Sequence, residues 1–190
     1  MAASSSLKNM ALCLTGVCLV CSAILGGVYV LTQEPIARAE KANLQASLSQ
    51  VIPDGYEISI EPVYREMDGA RYECYSAAGA GENEVATAVK STVNGFGGPL
   101  TVLVGVTSDG CVYAAKVLSH SETPGLGAKC SEAASHFVQQ FSRFDPSQKS
   151  LKVKKDGGDI DAITASTITS RAYVLAVENA VKLMKEDSYE

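Results

Sequence analysis

Two short segments of this 190-residue sequence carry the side chains that could do chemistry. The first, residues 119–127 (SHSETPGLG), follows an apolar run that predicts a strand. Its proline and two glycines fix an unusual backbone path, which would let a planar ligand approach main-chain amides. A loop built only to reverse the chain would use the same residues, so a structural loop remains the alternative.

The second segment, residues 159–172 (DIDAITASTITSRA), places five hydroxyl side chains within seven residues, directly before a predicted C-terminal helix. A helix amino terminus offers unpaired N–H groups and the positive end of a dipole, which suits a phosphate. The alternative is a hydroxyl-rich N-cap, in which Thr169 or Ser170 accepts a backbone N–H. The spacing alone favours the cap.

An apolar stretch near the start of the chain must hold these segments at a membrane. No charged side chain occurs between Asn9 and Gln33, and residues 10–31 predict a transmembrane helix after a short stub at 1–9. At about 1.5 Å per residue this helix crosses roughly 30 Å of hydrocarbon. A cleaved signal peptide is the alternative, but its apolar core is typically about 7–15 residues, so we expect an uncleaved anchor. Lys8 places the stub in the cytoplasm and the remaining mass outside.

The rest of the chain predicts a helical stalk at 32–55, ended by Pro53 and Gly55, and a domain at 56–190. Within the domain, alternation and glycine turns predict strands, and helical periodicity predicts two helices. The strands are expected at 56–60, 63–67, 71–77, 85–93, 100–107 and 111–118, a loop at 77–84, and the helices at 131–141 and 170–185. This order predicts an α+β fold, with a mostly antiparallel sheet flanked by helices.

Charge and cysteine content exclude other classes of function. The 16 Lys and Arg against 21 Asp and Glu give a net charge of −5, which disfavours a nucleic-acid partner. Three of the six cysteines lie in the anchor, leaving Cys74, Cys111 and Cys130 in the domain. Their spacing is not that of a metal site, so we expect small buried side chains with at most one disulfide.

The order of anchor, stalk and three motifs resembles the FMN-binding G subunit of Rnf-type ion-translocating electron transport complexes. More distantly, it is similar to the C subunit of the sodium-pumping NADH:quinone reductase. The motifs are GFGGPL at 95–100, HSETPGLG at 120–127 and DAITAST at 161–167. The resemblance implies a covalently flavinylated electron carrier, within a complex that couples electron transfer between ferredoxin and NAD to ion transport.

In that family FMN is attached by a phosphoester to a threonine within the pattern Asp-x-x-Ser/Thr-Gly-Ala-Thr. The resemblance implies that Asp161 is the acidic residue, Thr164 the Ser/Thr residue and Thr167 the acceptor, in preference to Thr169. Ala165 and Ser166 replace the usual Gly-Ala. Both are small, but a positive backbone angle at 165 would be costly for alanine.

The motif at 120–127 implies further residues that position the flavin, while no side chain is expected to act as a general acid or base. These flavin-positioning residues are Glu122, Thr123, Leu126 and Gly127.

The resemblance also implies partners and a location. An unactivated threonine does not displace a phosphate group, so maturation needs a flavin transferase with FAD and magnesium. The expected location is the bacterial inner membrane, with the domain on the periplasmic side. A small-residue face of the anchor, formed by Cys13, Gly16, Val20 and Gly27, suits packing against helices of other subunits. A stand-alone flavinylated protein of extracellular electron transfer and a non-redox binding module remain the alternatives.

Overall fold

The computed structural model describes residues 7–79 and 85–187, and the chain forms two compact units, Met1–Ala42 and Asn43–Glu190. The elements in chain order are helix α1 (Leu7–Val51), strands β1 (Glu57–Ile58), β2 (Val63–Met67), β3 (Ala70–Ala78), β4 (Val85–Asn94), β5 (Pro99–Thr107) and β6 (Val112–His120), and helices α2 (His136–Gln139) and α3 (Thr167–Asp187). Two 3-10 turns lie at Gly127–Ser131 and Lys154–Asp156.

Helix α1 is continuous where the sequence predicted an anchor followed by a separate stalk. It includes Pro35 and is long and apolar enough to cross a membrane. Its side chains from residue 7 to residue 42 are exposed, and the apolar ones between residues 10 and 31 are those that lipid would surround. Of the predicted stub, residues 7–9 belong to this helix and residues 1–6 lie outside the described part of the chain.

The six strands form one sheet with the order β1-β3-β4-β5-β6, and β2 pairs with the remaining length of β3 beside β1. Every pairing between these strands is antiparallel, which confirms the predicted α+β fold. Residues 100–106 of β5 are all buried, because helices cover both faces of the sheet there. The nearly uniform apolar sequence of this strand follows from that burial.

Helix α3 and an aromatic cluster cover one face of the sheet. The ring of Tyr173 lies 5.1 Å from that of Phe137 and 4.8 Å from that of Phe141, and its hydroxyl donates to the Ala115 carbonyl over 3.2 Å. The helix predicted at 131–141 is wrong in extent. The chain at Glu132 is extended, so that the buried residues come from a 3-10 turn and a four-residue helix instead.

The end of α1 covers the other face. Leu48, Val51 and Ile52 are buried against alanines of the sheet and the larger side chains of Tyr75 and Leu103, and the backbones approach closely at Gly105. A Cβ atom at Gly105 would lie 1.7 Å from the carbonyl oxygen of Val51. The compact unit therefore begins at Asn43 and not at the predicted residue 56, because the last turns of the predicted stalk belong to the domain core.

The remaining differences concern element ends. Helix α3 begins at Thr167, three residues before the predicted start, and β1 has only two residues. Strand β3 extends to Ala78, into the predicted loop, and residues 80–84 of that loop lie outside the described residues.

The contact at Gly105 predicts that Gly105→Ala destabilises the domain by about 1–3 kcal/mol, since the added methyl must displace either β5 or the end of α1. Denaturant unfolding of the detergent-solubilised full chain, followed by circular dichroism, measures this. Gly26→Ala is the matched control, because a Cβ there meets no atom within 4 Å. Equal unfolding midpoints for the two variants would contradict the close approach.

Candidate functional site

A cavity of about 310 Å³ lies where the β4–β5 turn, the loop after β6 and the start of α3 meet. Its volume is at the lower end of the range for small-molecule sites, about 300–1,000 Å³. The lining residues are Phe96, Glu122, Thr123, Leu126, Gly127, Ala165, Ser166, Thr167, Ile168 and Thr169. Eight of the ten predicted site residues line this cavity, and Asp161 and Thr164 do not.

The carboxylate of Glu122 joins the three segments. It is only 6% exposed, so its charge needs hydrogen-bond donors. Its Oε1 accepts from the amides of Phe96 at 2.8 Å and Gly97 at 3.4 Å, and its Oε2 accepts from the Thr169 hydroxyl at 2.7 Å. One side chain thereby fixes the β4–β5 turn and the first turn of α3 to the loop after β6.

The carboxylate of Glu122 and the backbone of Ser121 lie close to glycines of the motifs at 95–100 and 120–127. A Cβ at Gly95 would lie 2.0 Å from Glu122 Oε1, and one at Gly127 would lie 2.6 Å from Glu122 Oε2. A Cβ at Gly97 would lie 2.0 Å from the Ser121 carbonyl oxygen. Gly97 therefore requires glycine because a backbone carbonyl occupies the space, whereas a side chain at Gly95 or Gly127 would displace the Glu122 carboxylate from its hydrogen bonds.

His120 supports the loop that carries Glu122. Its Nδ1 accepts from the Glu122 amide at 3.2 Å, and its Nε2 lies 3.2 Å from the Ser131 hydroxyl, which itself donates to the Ala128 carbonyl at 2.8 Å. Because Ser131 Oγ donates its one proton to the Ala128 carbonyl, it can only accept from the imidazole, and His120 Nε2 is the donor in the hydrogen bond between the two side chains. The ring of His120 thus connects the backbone at Glu122 with the 3-10 turn at Gly127–Ser131.

Two of the five hydroxyls before and within the first turn of α3 have structural partners. Ser170 Oγ accepts from the Ile163 amide and donates to the Ser166 carbonyl, each at 2.9 Å. Thr169 is 1% exposed and donates to Glu122. Neither residue is an N-cap, because both lie inside α3: Ser170 accepts from an amide that precedes the helix, and Thr169 donates to a carboxylate. Thr164 is exposed and lies outside the cavity.

Thr167 is the first residue of α3, is half-buried and lines the cavity. Its Oγ1 accepts a hydrogen bond from Lys155 Nζ at 3.3 Å. The first hydrogen bond of the helix runs from the Ser170 amide to the Ser166 carbonyl, so the amides of residues 167–169 precede it and lack helical acceptors. These amides make the cavity floor suitable for an anion.

Ala165 has a φ of +61°, in the left-handed region. A positive backbone angle at this position was expected to be costly for alanine, because residues other than glycine lose about 1–2 kcal/mol in the left-handed region. The backbone is held in this shape by the bond from the Ser166 amide to the Ile163 carbonyl, at 3.0 Å.

Asp161 stands beside the cavity segment and fixes its start. Its Oδ2 accepts from Lys154 Nζ at 2.7 Å. Gln140 holds its backbone on both sides, since Oε1 accepts from the Asp161 amide at 2.8 Å and Nε2 donates to its carbonyl at 3.1 Å. Its role in the folded domain is therefore to shape the loop that leads to α3.

Sequence reasoning missed three residues of the site. Phe96 and Ile168 line the cavity with side chains that are 68% and 51% exposed, so both offer apolar surface to a ligand. A phenylalanine set among glycines was a usable signal for the first. Lys155 touches Thr167 from a separate turn, and nothing in its local sequence distinguishes it from Lys154.

All six cysteines are unpaired. Cys74 and Cys130 are buried, as expected, and Cys111 is partly exposed. Burial, with the negative charge of Glu122 as the smaller cause, raises the pKa of Cys130 to about 11. Its thiol therefore stays protonated near neutral pH and acts as a small core side chain.

The hydrogen bonds of Glu122 predict that Glu122→Gln lowers the free energy of unfolding by about 1–3 kcal/mol, because an amide cannot accept all three donors. Thermal and denaturant unfolding of the full chain measure the change. Glu132→Gln, at an exposed position nearby, should change stability by less than about 0.5 kcal/mol. Equal effects of the two substitutions would refute the role of Glu122.

The positive φ of Ala165 predicts that Ala165→Gly stabilises the domain by about 0.5–1 kcal/mol, since relief of strain exceeds the entropy that glycine adds to the unfolded chain. Ala162→Gly, where φ is not positive, should instead destabilise the domain by about 0.5–1 kcal/mol. The same unfolding assay compares them, and destabilisation by both would show that residue 165 is unstrained.

Comparison with known sequences agrees with this geometry. The sequence model of the FMN-binding domain matches residues 95–182, and that of the RnfG N-terminal region matches residues 1–51. The FMN-binding match spans all three cavity-lining segments.

Several curated relatives are each named as the G subunit of an ion-translocating oxidoreductase complex. The relative from Shewanella baltica is 35% identical over 175 residues, covering 86% of this chain and 82% of the relative. The one from Pasteurella multocida is 32% identical over 191 residues, covering 95% of each, and the one from Cereibacter sphaeroides is 35% identical over 159 residues, covering 80% and 72%. Because the similarity extends over most of both chains, this chain belongs to the family of G subunits of ion-translocating oxidoreductase complexes.

Proposed function

We propose that this protein is the membrane-anchored, covalently flavinylated electron carrier of an ion-translocating oxidoreductase complex that relays electrons between ferredoxin and NAD. The observation that carries the proposal is the cavity at the start of α3, which is lined by exposed apolar side chains, by the first residues of the helix and by Thr167. The matching FMN-binding domain and the names of the relatives support the same function.

The residues present fit FMN. The side chains of Phe96, Leu126 and Ile168 supply an apolar rim for the flat ring system. The amides at the start of α3 and the ammonium of Lys155 supply partners for the phosphate. When bound, FMN provides the one- and two-electron chemistry, while the protein holds the ring and tunes its surroundings.

The availability of hydroxyls supports Thr167 as the point of attachment. Thr169 is buried and its hydroxyl is held by Glu122, so attachment there would leave the carboxylate without a donor. Thr167 is half-buried, lines the cavity and makes no hydrogen bond that the fold depends on. Thr167 is also the residue that the motif pattern assigns as acceptor.

Maturation is proposed to need a flavin transferase, with FAD as donor and magnesium. A bond forms between Thr167 Oγ1 and the flavin-side phosphorus, the phosphorus–oxygen bond to the second phosphate breaks, and AMP leaves. The hydroxyl proton passes to a base of the transferase, since no carboxylate or imidazole among the described residues contacts Thr167 Oγ1. A covalent link prevents loss of the cofactor from a protein exposed outside the cytoplasm.

The location proposed is the bacterial inner membrane, with a single span and the domain on the periplasmic side. Residues 10–31 lie in the apolar part of α1, and Lys8 precedes them, which favours a cytoplasmic amino terminus. Within the span, Cys13, Gly16 and Val20 give a small-residue face that suits helices of other subunits. A stand-alone electron-transfer protein would need no such face.

Thr167→Ala is expected to abolish covalent flavin. Intact mass of the wild-type protein, produced with an active transferase, should exceed the sequence mass by one FMN less one water, whereas the variant should show the sequence mass alone. Thr169→Val is the matched control and should keep the mass increment, with a lower unfolding midpoint from loss of the Glu122 contact. Covalent flavin in Thr167→Ala would move the attachment site, and a flavin-free wild-type protein would refute the function.

A further inference from the structure

Three consecutive side chains of the turn at Lys154–Asp156 reach the segment that leads into α3. Lys154 Nζ lies 2.7 Å from Asp161 Oδ2, and Lys155 Nζ lies 3.3 Å from Thr167 Oγ1. Asp156 accepts from Arg171 through both oxygens, at 2.8 and 2.7 Å. The pairs on either side of Lys155 therefore attach the turn to the site segment at two points.

The backbone of this turn is also fixed. The Lys154 amide donates to the Ile160 carbonyl at 2.8 Å, and the turn ends at Gly157, whose φ is +82°. A Cβ at Gly158 would lie 2.1 Å from the Lys152 carbonyl oxygen. The turn that places Lys155 beside Thr167 therefore has a backbone held by hydrogen bonds and close packing.

The charges around Lys155 point to an anion beside it. The neighbouring cations, Lys154 and Arg171, each bind a carboxylate, whereas the hydrogen-bond partner of Lys155 is an uncharged hydroxyl. The Asp156 carboxylate interacts with the charge of Lys155, but both of its oxygens are bound by Arg171. That hydroxyl belongs to the first residue of α3, where the helix dipole disfavours a cation. An anion at the same place would satisfy both the ammonium and the helix terminus.

We propose that Lys155 is a positioning residue for the flavin phosphate, before and after its attachment to Thr167; this inference rests on the proposed function. Before attachment, the ammonium donates to Thr167 Oγ1, which leaves the hydroxyl proton free to depart and stabilises negative charge on the oxygen as the bond to phosphorus forms. After attachment, the ammonium binds the non-bridging oxygens of the phosphodiester. Lys155 makes neither bond and exchanges no proton in this step.

Three variants of the full chain test the proposal. Lys155→Met removes the charge while keeping the length of the side chain, Lys155→Arg keeps the charge, and Lys152→Met is the matched control at an exposed lysine of the same segment. The first measurement is the rate at which each flavin-free protein gains the mass of FMN with transferase, FAD and magnesium. The second is the affinity of each flavin-free protein for FMN and for riboflavin, which lacks the phosphate.

Lys155→Met is expected to slow incorporation at least about tenfold and to reduce the preference for FMN over riboflavin by about tenfold, as loss of a charge-assisted hydrogen bond implies. Lys155→Arg should retain both within a few-fold, and Lys152→Met should match the wild type. The unfolding midpoints of all four proteins should agree, because the hydrogen bond of Lys155 is exposed to solvent and its partner is uncharged.

Wild-type incorporation and wild-type FMN preference in Lys155→Met would overturn the inference. So would a loss of stability in that variant that Lys155→Arg does not repair, since the lysine would then be structural. If the wild-type protein gained no covalent flavin, the proposed function would fail, and the comparison of FMN with riboflavin would still decide whether Lys155 recognises phosphate.

Discussion

The buried carboxylate of Glu122 is the constraint on which the site depends. A charge that is 6% exposed must be met by donors, and the fold supplies them from two distant places, the β4–β5 turn and the first turn of α3. The glycines at 95 and 127 follow from it, since a Cβ at either would collide with the carboxylate. The cavity therefore has its shape because three chain segments converge on one side chain.

The central strands of the sheet support that convergence. Strand β5 is buried on both faces, by α3 and the aromatic cluster on one side and by the end of α1 on the other. The start of α3 is thus fixed relative to the β4–β5 turn, because both are attached to the same central strands. A cofactor held at this junction would contact segments that are all attached to the same sheet.

The local patterns that the sequence predicted correctly are those set by neighbouring residues. Alternation and turns located the strands, and glycine and hydroxyl content located both cavity-lining motifs. The features that the sequence did not predict depend on contacts between residues that are distant in the chain. The hydroxyl of Thr169 is used in a hydrogen bond to Glu122, which is 47 residues away in the sequence. Local spacing therefore could not show that Thr169 and Thr167 differ in the availability of their hydroxyls. The predicted helix at 131–141 is interrupted because its apolar residues fill the core from two short helical pieces.

The positive φ of Ala165 shows that hydrogen bonds around the loop, and not the residue type at position 165, determine the shape of the site. Its φ of +61° persists although alanine disfavours it, because the Ser166 amide is bound to the Ile163 carbonyl and Ser170 is bound to the Ile163 amide. The loop geometry is thus imposed by hydrogen bonds that surround residue 165 and does not require glycine there. The same bonds use the hydroxyl of Ser170, and Glu122 uses that of Thr169. Thr167 is then the threonine in the first turn of α3 whose hydroxyl is not required to hold the fold, and this is the physical reason to propose it as the acceptor.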